Sequence, residues 1–94
     1  MLVQHKRTEK RGMFFIPGED DEMIAELVYS FQEPDTLLLE HTEVDEELRG
    51  QKVGFDLVQA AVEYARQNQY KLIPLCSFAK AVMDRKQDFN DVRA

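Results

Sequence analysis

Ninety-four residues with 44% hydrophobic content suit one small domain, residues 1–94, in which only about 60 to 65% of the chain's surface can be buried, so a ligand site must share its walls with the core. Twelve basic against eighteen acidic residues give a net charge of −6, which opposes a general binder of nucleic-acid backbones. One cysteine excludes an internal disulfide framework, no His/Cys cluster has zinc spacing, and Met1 to Arg7 never develops an apolar signal or spanning segment; a cytoplasmic protein with no metal, nucleic-acid or membrane partner is expected.

In chain order, Leu2 to Thr8 is a first strand candidate and Gly12 to Ile16 a second, rich in the aromatic and branched residues that suit a pleated surface. Lys10-Arg11-Gly12 reads as the turn between them, and Pro17 to Asp21 is turn chemistry that joins antiparallel strands. Glu22 to Phe31 alternates: Met23, Ala25, Leu27, Tyr29 and Phe31 share one face, and Ile24, Glu26, Val28 and Ser30 the other. Glu33-Pro34-Asp35 breaks the pattern before Thr36 to Val44, an apolar strand that turns polar toward its end. From Val53 the period changes. Val53, Leu57, Ala60, Ala61, Tyr64 and Ala65 recur at helical intervals, which predicts an amphipathic helix ending near Gln67 to Gln69. Tyr70 to Cys76 follows as a short strand whose Pro74 lacks a ladder donor, implying a bulge or a local separation from its neighbour. Ser77 is placed to cap a last helix carrying Phe78, Ala79, Val82 and Met83, and the polar Asp88 to Ala94 segment is expected to fray.

The connection Leu48-Arg49-Gly50-Gln51-Lys52-Val53-Gly54 joins the apolar strand to the long helix. Its glycines permit a tight turn and a close approach, and a helix beginning there offers unpaired amides and partial positive charge, so a phosphate is the natural guest. A strand, helix, strand unit over Thr36 to Cys76 makes a right-handed crossover between neighbouring parallel strands, with both carboxyl ends on one sheet edge. That places Glu43-Val44 beside Leu75-Cys76 with the loop above them, at the usual ligand crevice of open α/β sheets. Asp20-Asp21-Glu22 and Asp45-Glu46-Glu47 are acidic clusters, whereas Arg49 and Lys52 put positive charge at the loop, an arrangement suited to an anionic cofactor with a cationic amine nearby.

Arg49-Gly50-Gln51-Lys52-Val53-Gly54 resembles the pyrophosphate loop, Arg/Gln-x-x-Gly-x-Gly/Ala, of the Gcn5-related N-acetyltransferases. With His41-Thr42-Glu43-Val44 and Pro74-Leu75-Cys76-Ser77 it is similar to the small YjdJ-type branch of that superfamily, over about Gly12 to Val82. Lys52 stands where the motif has its middle glycine. The resemblance implies a compact α/β (α+β) fold, with a mainly antiparallel sheet of about five strands, one parallel crossover and a C-terminal helix. It also implies transfer of an acetyl group from acetyl-coenzyme A to a primary amine. Pantetheine would bond to backbone near Thr42 to Val44, and the pyrophosphate to amides from Arg49, Gly50, Gln51, Lys52, Val53 and Gly54.

Cys76, at a strand end and helix start, has a source of thiolate stabilisation and matches the branch's phrase, which makes it a candidate catalytic residue accepting the acyl group as an acyl-cysteine; inert packing is the alternative for a lone cysteine. Direct attack by a bound amine needs a base, for which His41 and Glu43, sharing a strand face, are the candidates, with Glu40 on the opposite face. A non-catalytic acyl-coenzyme A sensor and a protein-interaction domain are the rival readings. Nothing in the sequence marks the amine or an oligomeric state.

Overall fold

Period-two alternation builds the sheet. The computed structural model describes residues 2–20 and 22–94, and places strands β1 (Gln4–Arg7), β2 (Arg11–Pro17), β3 (Met23–Gln32), β4 (Thr36–Val44) and β5 (Lys71–Pro74) in sequence order across one sheet. The first four pair antiparallel and β5 joins β4 in parallel. Phe14, Ile16, Ala25, Leu27, Tyr29, Leu37 and Leu39 fall on one face and are buried. Met13, Val28 and Leu38 fall on the other and stay half-buried. The first turn lies earlier than Lys10-Arg11-Gly12: the Thr8 amide donates to the Arg11 carbonyl (2.7 Å), so Arg11 and Gly12 are already paired in β2. In the second turn Gly18 and Glu22 bond at 2.7 Å, while Asp21 lies outside the described residues.

Helix α1 (Val53–Asn68) packs against β2, β3 and β4, and α2 (Ser77–Arg85) against β4, β5 and α1. Val58 and Val62 share the buried stripe of α1 with Val53, Leu57, Ala61 and Ala65, while Ala60 and Tyr64 flank it half-buried. Each fully buried Val or Leu contributes roughly 1.5–3 kcal/mol. The helix stops as expected, with Gln69 in the left-handed region and the Tyr70 amide bonded to the Ala65 carbonyl at 2.9 Å. No described helix is long and apolar enough to cross a membrane.

Two further expectations fail for physical reasons. The C-terminal segment does not fray: Gln87–Val92 forms a 3-10 helix that buries Phe89 and Val92, and the Ala94 amide donates to the Leu72 carbonyl at 2.9 Å. Spacing of three eclipses side chains in a 3-10 helix, so these two apolar residues make one inward row within a polar stretch. Glu40 is not opposite His41. Val28 pairs with His41 and Tyr29 with Leu39, leaving Glu40 as the extra residue of a bulge. Its carboxylate accepts a hydrogen bond from Ser30 Oγ (3.0 Å) and pairs with Arg11 (3.1 Å), on the face that also carries His41. A bulge shifts side-chain parity by one, so Leu37 and Leu39 before it share a face with Thr42 and Val44 after it.

Candidate functional site: a groove at the fork of two parallel strands

Strand β5 stops at Pro74, opposite Leu39, and the Leu75 and Cys76 amides both donate to the Leu39 carbonyl at 2.9 Å. β4 runs on through Val44 without β5 beside it. The expected neighbours Glu43-Val44 and Leu75-Cys76 are therefore offset: proline ends the ladder, the chain turns into α2, and the fork opens below Glu43. Separation at Pro74 is borne out, and it is what gives the end of β4 a free flank.

Beyond Val44 the chain makes a 3-10 turn, Glu46–Leu48, capped by Asp45 Oδ1 accepting from the Glu47 amide at 3.1 Å. Gly50 then takes φ +86 with open space around its Cα, and Lys52 takes φ 62 as the residue preceding α1. The Lys52 side chain makes no cap hydrogen bond to α1, whose N-terminus concentrates positive potential. Gly54 is buried against α2: a Cβ there would lie 2.5 Å from the Phe78 ring. Glycine is required for that approach, not for an unusual dihedral.

These elements enclose an open groove of about 840 Å³, within the range of cofactor sites. Thr42, Glu43 and Val44 line it from β4, and Arg49, Gly50, Lys52, Val53 and Gly54 from the loop and helix start. Gln51 does not line it; its amide side chain folds back to the Glu47 carbonyl at 3.4 Å. The opposite wall is Phe55 of α1 with Phe78, Val82 and Arg85 of α2 and Lys86 just after it, none singled out from sequence as site residues. The spacing of Phe78, Val82 and Arg85 was the available signal, since four and three residues apart on a helix mark one face.

Cys76 sits half-buried at the fork as the residue before α2, replacing Ser77 in the cap position, with Sγ 3.4 Å from Thr42 Oγ1. It touches the groove through Thr42 rather than lining it. Burial alone pushes the thiol up, but the Thr42 hydroxyl and the amides of Ala79, Phe78 and Thr42 together outweigh it and hold the thiol below its ordinary value. His41 and Glu43 pair at 3.4 Å on the exposed sheet face, and of the two only Glu43 reaches the groove. Glu26, directly across from Glu43 on β3, joins them so that one ligand-type atom from each lies within 4.8 Å of the others. Cross-strand register, invisible to sequence spacing, makes that group.

The groove combines apolar walls, a helix N-terminus and cations, chemistry that suits an anionic ligand with an apolar portion. A family model described as GCN5-related N-acetyl-transferase matches residues 13–92. Among solved structures, a GCN5-like candidate N-acetyltransferase from Staphylococcus aureus is 36% identical over 97% of this chain and 87% of that one, with a TM-score of 0.76. A nourseothricin acetyltransferase is 29% identical over 70% of this chain and 40% of its own, TM-score 0.56. A GNAT family acetyltransferase from Elizabethkingia anophelis with acetyl-CoA bound, 20% identical, shares the fold over 69% of this chain and 42% of its own, TM-score 0.57. The chain thus spans less than half the length of the latter two. No curated protein sequence matches significantly.

Proposed function

This chain belongs to the GCN5-related N-acetyltransferases, a fold that points to acyl transfer from an acyl-coenzyme A, and from that premise we propose that it carries the acetyl group of acetyl-coenzyme A to a primary amine. The observation that carries this reading is the groove itself: in a protein of net charge −6, the N-terminus of α1 and the cations Arg49 and Lys52 line it together with Thr42, whose hydroxyl contacts Cys76 Sγ. Residues 1–94 then work as one acetyltransferase domain of the cytoplasm. Pyrophosphate is held by the Arg49 to Gly54 loop, Gln51 contributing backbone alone, and pantetheine bonds to the free flank of β4 at Thr42 to Val44.

Cys76 is the acyl acceptor in this proposal. Its thiolate attacks the thioester carbonyl carbon, the bond to the coenzyme sulfur breaks, and the coenzyme departs as its thiolate. The bound ammonium first gives a proton to Glu43, from which His41 at 3.4 Å relays it to water; the freed amine nitrogen then attacks the acyl carbon, the bond to Cys76 Sγ breaks so that Cys76 leaves as its thiolate, and the nitrogen's second proton follows the same route. The acidic surface of Glu26, Glu43 and Asp45 favours approach of a protonated amine. Mass spectrometry after incubation with acetyl-coenzyme A tests the scheme. One acetyl group on Cys76, discharged by an added amine, supports it. Acetylated amine without an acyl-enzyme moves the chemistry to direct attack with Glu43 as base, and binding without turnover makes the protein an acyl-coenzyme A sensor.

A further inference from the structure

Phe78, Val82 and Arg85 all line the groove from one face of α2, and at 1.5 Å per residue Arg85 lies about 10 Å along that helix from Phe78. Phe78 is at the fork end, against Gly54 and two residues from Cys76, so Arg85 and Lys86 stand at the end remote from the thiol. Neither makes an ion pair among the described residues. Their neighbours Lys80 and Arg93, facing outward, are both held by Asp84, at 2.9 and 2.7 Å. Lys86 keeps its ammonium instead 5.7 Å from the Phe55 ring centroid and 6.0 Å from that of Phe89. The far end of the groove therefore offers two uncompensated cations beside a half-buried aromatic wall.

The loop and the α1 amides already suit a pyrophosphate, so this second cationic cluster calls for a second anionic group on the same ligand. Resting on the coenzyme A reading above, we infer that Arg85 and Lys86 bind the 3′-phosphate of the coenzyme's adenosine, with Phe55 against the nucleoside. A phosphate monoester carries about −1.5 to −2 charges at pH 7, and a guanidinium meets its oxygens in a two-pronged geometry that an ammonium supplements. The protein thereby selects 3′-phosphorylated acyl carriers over their dephosphorylated forms.

Titration calorimetry with coenzyme A and with 3′-dephospho-coenzyme A separates this assignment from the cofactor reading on which it rests. The wild-type protein should prefer coenzyme A by about ten-fold or more, and the preference should shrink as salt rises. Arg85→Gln/Lys86→Gln should lose about ten-fold for coenzyme A and almost nothing for the dephospho compound, with Arg85→Lys intermediate. Arg85→Gln alone, at an exposed side chain, supplies the comparison if the double variant does not fold. Equal wild-type affinity for the two compounds, or equal losses in the variant, overturns the 3′-phosphate site while leaving the cofactor reading standing. Failure of the wild type to bind either compound overturns both.

Discussion

Lys52 shows what a single residue can cost. It holds φ 62, a left-handed conformation that side chains with a Cβ adopt at a cost of about 1–2 kcal/mol, where the related motif has glycine. Glycine gives back part of this through unfolded-chain entropy, so Lys52→Gly should stabilise the protein by a net ~0.5–1 kcal/mol in urea titrations. Unchanged or lower stability would show that the lysine is held there by contacts worth more than the strain. Cys76 is the second residue whose surroundings decide its chemistry. Because its thiol is held below its ordinary value, iodoacetamide should react with an inflection at a lower pH than it shows with the same cysteine in the unfolded chain. Thr42→Val removes the hydroxyl at 3.4 Å and should move the inflection upward. An inflection at or above the ordinary value in the wild type would leave Cys76 as a packing residue. Both residues could be singled out from sequence, one by its departure from a motif and one by its position. Their dihedral and hydrogen bonds depend on contacts made across the fold.

At the scale of elements, the sequence is most legible where one period rules. The long helix and the strands of the meander announce themselves through spacings of 3.6 and 2, and Pro74 marks where the β4 and β5 ladder ends. What the sequence hides is a change of phase. Nothing in Leu39-Glu40-His41 signals the bulge that puts Glu40 and His41 on one face, because a bulge is fixed by pairing with β3, not by composition. The tail is hidden for a related reason: two apolar residues in an otherwise polar segment look frayed until Leu72 of β5 and Phe55 of α1 are seen beside them. Phe89 is 3% exposed and its ring lies 5.9 Å from that of Phe55. Phe89→Ala should therefore destabilise by about 3–5 kcal/mol, whereas Leu2→Ala, at a side chain 79% exposed, should stay within about 0.5 kcal/mol. Comparable stabilities for the two variants would return the tail to a peripheral role.

For the whole molecule, the site is an assembly rather than a segment. Its walls come from residues 42–44, from 48–50 and 52–55, and from Phe78, Val82, Arg85 and Lys86, so the groove exists only when the strand fork, the loop and both helices are in place. The loop half could be singled out because glycines before a helix are a local signal, carried by consecutive residues. The α2 half was not, since Arg85 and Lys86 acquire meaning only once Phe78 is packed on Gly54. A ligand of such a groove binds the folded chain and not the unfolded one, so it must raise stability by about 2.7 kcal/mol at one hundred times its dissociation constant. For a domain of this size that is roughly 10 to 20 °C in Tm. Acetyl-coenzyme A should produce that shift, and it should diminish with salt because cations and helix amides supply part of the affinity. Gly54→Val sharpens the case: its side chain must displace the Phe78 ring, narrowing the groove where the two helices meet. The variant should melt as one cooperative unit at a lower temperature and lose at least ten-fold in affinity, so that the same acetyl-coenzyme A concentration shifts its Tm by several degrees less. A folded Gly54→Val protein with an undiminished shift would place the ligand elsewhere than this groove.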